Sequence, residues 1–134
     1  MSVNRSGLMQ AKLRQRLPVA ARIESLAFNL AEVAADRKAE DVEIIDVRGK
    51  VDYADFLVLA SGRSDRHLAA LARHLEAAGQ ELGSRVLSQE GLRLASWILM
   101  DFGDVLVHLF REDVRHYYDF GALWVDAPRK AVGT

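Results

Sequence analysis

Residues 56–64 read Phe-Leu-Val-Leu-Ala-Ser-Gly-Arg-Ser. The continuous apolar run at the start of this stretch predicts a strand that is buried on both faces. Such a strand needs helices packed against its sheet, so the stretch predicts an α/β domain. The turn that follows predicts the start of a helix, because Ser64 or Asp65 can cap the free amide groups of a first helical turn.

Apolar residues spaced three and four apart predict two helices, one before this strand in the sequence and one after it. The first begins at Ile23 and ends before the polar run 36–41, and the second runs from Ser64 or Asp65 to Gly83. Their predicted buried residues are Ile23, Leu26, Ala27, Leu30, Val33 and Ala34 in the first helix, and Leu68, Leu71, Ala72, Leu75 and Leu82 in the second.

Further strands are predicted around residues 42–47, 85–87, 97–100 and 105–110, and a last helix starts near 111–113. The two later strands flank Asp101-Phe102-Gly103-Asp104 and form a hairpin. The sequence therefore predicts a mixed β-sheet flanked by helices.

A two-residue loop at Phe102-Gly103 would pair Trp97 with His108 and Asp101 with Asp104. Strand alternation then places both pairs on one face together with Leu99 and Leu106. A face with an aromatic ring and acids suits a recognition surface. Two alternatives stay open at this point: a three-residue loop would slip the pairing by one, and Trp97 would equally suit the core.

The chain has 134 residues, 50% of them apolar and 28% charged, which predicts one globular domain. It has no cysteine, which excludes disulfides and cysteine-based zinc sites or nucleophiles. No apolar run reaches the roughly 18 residues of a membrane helix, and we expect a cytoplasmic protein. The net charge of −1 divides into +5 for residues 1–23 and −6 for the rest. The acidic body argues against a nucleic-acid-binding module.

Three segments follow from this distribution. Residues 1–22 are predicted to form a basic, flexible N-terminal arm, residues 23–127 the folded domain, and residues 128–134 a frayed C-terminal tail. The charge of the arm would favour a phosphate backbone nearby.

A catalytic alternative uses the turn Gly62-Arg63-Ser64 as an anion site, with Asp52, Asp55 or Asp101 holding magnesium. An ordinary strand-to-helix turn needs the same residues. The chain also lacks the Asp-x-Asp pair of nucleotidyltransferases, so we expect no catalytic residues. The spacing of the histidines does not match a zinc helix, and we expect neither a metal nor a cofactor.

Taken in order, these features resemble the ribosomal silencing factor family, also called Iojap-like proteins. The resemblance covers about residues 23–127. The pieces that carry it are 52–56, 60–67, 90–91, Trp97, 101–108, 115–118 and 123–124. One departure is Phe120-Gly121, where the family usually has an acid.

The resemblance implies a nucleotidyltransferase-like fold that is catalytically inactive. It also implies a translation repressor that binds the large ribosomal subunit through protein L-fourteen and sterically blocks subunit joining when nutrients are scarce. Large-subunit assembly is the alternative role, and a homodimer is also suggested. The basic arm lies outside the common core of the family, and its contact with ribosomal RNA is a hypothesis from its charge. The predicted partner-binding residues are Trp97, Asp101, Gly103, Asp104, His108 and Tyr118.

Overall fold

A computed structural model of the chain describes residues 17–91, 96–118 and 124–133, with the backbone alone of 116–118. The helices of this part of the chain are α1 (Val19–Asp36), α2 (Asp65–Glu81) and α3 (Glu112–Tyr118). Its strands are β1 (Glu40–Asp46), β2 (Phe56–Gly62), β3 (Ser88–Glu90), β4 (Trp97–Asp101), β5 (Val105–Arg111) and β6 (Arg129–Ala131).

The six strands form one mixed sheet in the order β3-β4-β5-β2-β1-β6. The central pair β2 and β5 is parallel, and all other neighbours are antiparallel. Every residue of β2 is buried, as the apolar run predicts for a strand covered on both faces. The predicted mixed α/β architecture is confirmed.

Helices α1 and α2 pack on one face of the sheet, which we call the covered face. Most residues of the predicted stripes are buried: Leu26, Ala27, Leu30 and Ala34 in α1, and Leu68, Leu71, Ala72 and Leu75 in α2, with Ala31 and Gly79 added. Ile23 and Val33 are only partly buried, and the buried Leu82 follows the end of α2. Ser64 caps α2, because its hydroxyl accepts a hydrogen bond from the His67 amide at 3.1 Å. These helices bury one set of alternate side chains from the central strands, including Phe56, Val58 and Val107.

The opposite set of side chains faces α3 and the chain around Trp124 and Ala127, and we call this the second face. Its fully buried members include Leu57, Leu59 and Phe110. Trp97, Leu106, Val114 and Trp124 are only partly buried against them. The second face is therefore less completely closed than the covered face.

The structure places one helix and one strand across two of the predicted segment boundaries. The first helix begins at Val19 instead of Ile23, so residues 19–22 belong to α1, while residues 1–16 of the predicted arm lie outside the described residues. The predicted frayed tail contains β6, which pairs with β1 through Glu43 and Ala131. The Val132 amide adds a hydrogen bond to the Val42 carbonyl at 2.9 Å. Pairing with the edge of β1 orders this segment. The sequence did not predict it, because a strand of three residues is too short to show a hydrophobic pattern.

The short strand expected at 85–87 lies three residues later, at Ser88–Glu90. It pairs antiparallel with β4, where Ser88 faces Asp101 and Glu90 faces Leu99. The apolar residues that suggested the strand have other positions, since Val86 is half-buried against the covered-face core and Leu87 is exposed. Pairing with β4 therefore decided this strand, and local hydrophobicity did not.

The predicted register of the β4–β5 hairpin is also wrong, by two residues. Trp97 pairs with Phe110, Leu99 with His108 and Asp101 with Leu106. The cause is Phe102, which is buried in the covered-face core and therefore continues the strand alternation beyond Asp101. Its amide donates to the Val105 carbonyl at 2.9 Å, so the turn comprises Gly103 and Asp104. A slip of two keeps each side chain on its predicted face, whereas a slip of one would reverse it.

Candidate partner-binding surface

The hairpin places a group of predicted site residues on the partly open second face. We call this group, with the turn that joins the strands, the β4–β5 surface: Trp97, Leu99, Asp101, Gly103, Asp104, Leu106 and His108. Apart from the exposed Asp104, every one of these residues is half-buried. The surface lies beside the closed core around Phe110 and is continuous with it.

An aromatic cluster forms the centre of this surface. The Trp97 and Phe110 rings lie 5.2 Å apart between centroids, and the His108 ring is stacked on Phe110 with an interplanar angle of 6°. Trp97 Nε1 donates a hydrogen bond to His108 Nδ1 at 3.1 Å. Phe110 is fully buried, so the two outer rings rest on a fixed base.

The protonation state of His108 follows from this environment. Burial lowers the pKa of His108 from 6.5 to about 4, because the charged imidazolium would lose its hydration. The ring is therefore neutral at neutral pH. The indole nitrogen can only donate, so Nδ1 must be the unprotonated acceptor and Nε2 carries the proton.

The turn at the end of the hairpin is fixed from two sides. Asp101 Oδ1 accepts a hydrogen bond from the Gly103 amide at 2.7 Å, and Gly103 has φ of +95°, which glycine adopts without steric cost. The Asp104 carbonyl accepts from the amides of Asp55 and Phe56 at 2.8 and 3.2 Å. The turn is thus tied to the start of β2, and the Asp104 side chain is exposed.

The predicted site residues fall into two groups. Trp97 and His108 are in direct contact, whereas Asp101, Gly103 and Asp104 lie together at the turn. About 13 Å of strand separates Trp97 from Asp101. Tyr118 lies in α3, but its side chain is outside the described residues, and its role stays a prediction.

Arg115, which is not among the predicted partner-binding residues, ties α3 to the sheet. Arg115 Nη1 donates to the Asp41 carbonyl at 2.6 Å and to the Ser61 hydroxyl at 2.9 Å. Arg115 also pairs with Glu43, which Arg129 of β6 contacts from the other side at 3.2 Å. Burial lowers the pKa of the Arg115 guanidinium, and the nearby carboxylate of Glu43 opposes that effect. Ser61 at the end of an apolar strand was the one sequence signal of such a partner.

The turn at Gly62-Arg63-Ser64 has the geometry of an ordinary helix start. The Arg63 amide donates to His67 Nδ1 at 3.1 Å, and Ser64 caps the helix. His67 Nε2 in turn lies 2.9 Å from the Arg37 carbonyl at the end of α1. The amides of Arg63 and His67 are therefore engaged within the chain, and His67 joins the two long helices.

The carboxylates of the catalytic alternative lie far from that turn. Asp52 and Asp55 precede β2, and Asp101 pairs with Leu106, which lies beside Leu57 near the same end of that strand. Gly62 and Ser64 lie at the opposite end of β2, about 20 Å away. No group of three or more His, Asp or Glu side chains is placed to hold a metal ion among residues 17–91, 96–118 and 124–133. The alternative therefore lacks a common site.

The strand order and the helix placement define a mixed α/β domain, and known proteins identify it further. Residues 20–133 match the family model described as "ribosomal silencing factor during starvation". The chain is 40% identical over 98 residues to ribosomal silencing factor RsfS of Bacillus subtilis, covering 73% of this chain and 83% of that protein. The chain belongs to the ribosomal silencing factor family. Its function therefore lies in the regulation of translation, in association with the ribosome.

More distant relatives and solved structures agree with this assignment. The chloroplastic protein Iojap of Zea mays is 31% identical over 103 residues, which cover 77% of this chain and 45% of that protein. A crystal structure from Chromobacterium violaceum aligns with a TM-score of 0.74 at 33% identity, covering 83% of this chain and 93% of that one. A second, from Bacillus halodurans, gives a TM-score of 0.67 at 34% identity and covers 84% and 99%.

The matched relatives are named as silencing factors and not as enzymes, which agrees with the prediction of a non-enzyme. Within the part of the chain that the structure describes, no helix is long and apolar enough to cross a membrane.

Proposed function

We propose that this silencing factor binds protein L-fourteen of the large ribosomal subunit through the β4–β5 surface. The proposal rests on the half-buried side chain of Trp97. Packing against Phe110 fixes one side of its ring and leaves exposed area that a partner can cover. Partly exposed aromatic side chains of this kind are common anchors at interface centres. The exposed Leu87 lies beside the turn at Gly103 and extends the apolar part of the surface.

The charge of the turn supports a basic partner. Asp101 and the exposed Asp104 lie together at one end of the surface, and residues 24–134 carry −6 in total. Opposite charges at the rim of an interface accelerate encounter and orient the partners. A basic ribosomal protein fits this charge better than bare RNA does.

The silencing step needs no bond to be made or broken. A folded domain bound on the joining face of the large subunit occupies volume that the small subunit requires. The mechanism is therefore steric, and it uses neither a cofactor nor a metal ion. Large-subunit assembly is the alternative outcome of binding at the same place.

The charges at the turn can be tested by co-sedimentation with purified large subunits at low salt. Asp101→Asn combined with Asp104→Lys removes both negative charges and retains an acceptor for the Gly103 amide. We expect this variant to bind about 10-fold more weakly, since each exposed charge pair contributes up to about 1 kcal/mol. The loss should diminish as salt is added.

The matched control is Glu76→Lys with Glu81→Gln, which makes the same change in net charge on the exposed side of α2. It should bind as the unaltered chain does. If both double variants bind as the unaltered chain does, the turn is not part of the interface. If both bind equally weakly, the effect comes from net charge and not from the position of the aspartates.

A subunit-joining assay then separates the two consequences of binding. The unaltered chain should reduce the formation of complete ribosomes from purified subunits, and the turn variant should not. A chain that co-sediments with large subunits and leaves joining unchanged would contradict steric silencing and favour the assembly role.

A further inference from the structure

The two aromatic side chains of the β4–β5 surface, His108 and Trp97, are held in place by their neighbours to different degrees. His108 is enclosed by its neighbours: it stacks on Phe110 at 5.8 Å, pairs with Leu99 across the hairpin and lies beside Leu59 of the parallel strand. Trp97 is the first residue of β4, where only one end of the backbone continues in the strand. The ring of Trp97 therefore depends more on side-chain contacts for its orientation.

The hydrogen bond between the two rings supplies a directional contact. The Trp97 and Phe110 rings pack at an angle of 37°, and the 3.1 Å bond from Nε1 to His108 Nδ1 sets which edge of the indole points inward. A side chain that is held in its bound rotamer loses less conformational entropy when a partner covers it.

We propose that His108 is a positioning residue, which fixes the Trp97 indole for the partner and does not itself supply the contact. The inference rests on the proposed function and changes the role of His108 within it. It requires that His108 act through Trp97, and that a replacement with an acceptor at the same place preserve the effect.

A double-mutant cycle tests this dependence by large-subunit co-sedimentation. His108→Leu removes the acceptor, and we expect about 5- to 10-fold weaker binding, the usual effect of one lost hydrogen bond of this kind. Trp97→Phe retains an aromatic ring without the donor. In the Trp97→Phe background, His108→Leu should change binding by less than about 2-fold, because the bond it removes is already absent.

A conservative variant and a spectroscopic signal separate positioning from packing. His108→Asn places an amide oxygen near the position of Nδ1 and should bind within about 3-fold of the unaltered chain. In ¹H–¹⁵N spectra, the Trp97 indole proton should move upfield in His108→Leu and return toward its original position in His108→Asn. The Trp124 indole is the internal reference, since these are the two tryptophans of the chain.

The outcomes distinguish this inference from the proposed function. Additive losses in the cycle would make His108 a direct contact and overturn the positioning role, while binding by the surface would stand. An unchanged indole signal in His108→Leu would equally overturn it. If the unaltered chain does not bind large subunits, the proposed function fails and the positioning role fails with it.

Discussion

The two faces of the sheet are built for different purposes. The covered face lies under α1 and α2, two helices of 18 and 17 residues, and its core is aliphatic with Phe56 and Phe102. The second face lies under the seven-residue α3 and the chain around Ala127. The side chains of the second face include that of Ser61, which is the buried polar residue of the described part of the chain.

The difference shows how a small domain separates stability from binding. Two long amphipathic helices close one face, so that face can provide most of the hydrophobic free energy. The second face is then free to keep polar groups and a half-buried tryptophan that a partner can cover. The following changes should break or sharpen this contrast.

The largest difference is expected between matched leucines on the two faces. Leu30 of α1 is fully buried in the core of the covered face, and Leu30→Ala should lower the free energy of unfolding by about 3–5 kcal/mol, the usual cost of a cavity in a closed core. Leu106 on the second face is half-buried, and Leu106→Ala should cost about 1 kcal/mol. Urea denaturation measures both values, and equal losses would mean that the two faces are closed to the same degree.

Acid should destabilise the second face through His108. The pKa of this group is about 4 in the folded chain and near 6.5 in the unfolded chain, so the unfolded state takes up the proton first. The stabilisation is complete above pH 6.5 and is lost as the pH falls toward 4. Between pH 7.5 and 4.5 we expect His108 to account for about 2–3 kcal/mol of the lost unfolding free energy.

His108→Asn provides the control for this prediction, because the other acid-sensitive groups are unchanged. Its unfolding free energy, measured by urea denaturation at both pH values, should fall by correspondingly less. Parallel losses in the two proteins would show that His108 titrates alike in the folded and unfolded states.

A somewhat smaller effect is expected where α3 is attached to the second face. Arg115→Met keeps an unbranched side chain in place of the methylene stem and loses the bonds to the Asp41 carbonyl and the Ser61 hydroxyl. We expect a loss of about 2 kcal/mol in thermal or urea unfolding, because these groups lie where water replaces the bonds poorly.

Arg111→Met is the matched control, since Arg111 pairs with Asp65 and Asp113 at the surface. Exposed pairs contribute less than about 1 kcal/mol, so this variant should change stability little. A larger loss for Arg111→Met than for Arg115→Met would contradict the assignment of Arg115 as the residue that attaches α3.

Local patterns predicted the elements whose side chains repeat at a regular spacing. The stripe through Leu68, Leu71 and Leu75 and the cap at Ser64 were correctly placed, because helix period and end chemistry act over a few residues. The two faces of the hairpin were also correct, although its register was wrong, since side-chain direction depends only on odd or even position.

Long-range partners were beyond those patterns. The register depends on Phe102, whose burial requires the covered-face core to be present before the turn is chosen. The strand at Arg129–Ala131 exists because the edge of β1 is open to it, and the bond from Arg115 to Ser61 joins residues 54 positions apart. In both cases the partners are far apart in the sequence, so a local pattern around one does not indicate the other.

The sequence by itself determined a mixed α/β domain with a fully buried central strand, two long helices, the cap at Ser64 and a family resemblance in ordered short motifs. Hydrophobic period and turn chemistry are local properties, so they can be predicted without the fold. Only the tertiary structure decided that Trp97 rests on Phe110 and donates a hydrogen bond to His108. It also decided that Asp52 and Asp55 lie at the opposite end of β2 from the Gly62–Ser64 turn. These relations depend on which strands become neighbours, and that choice is made by the packing of the whole core.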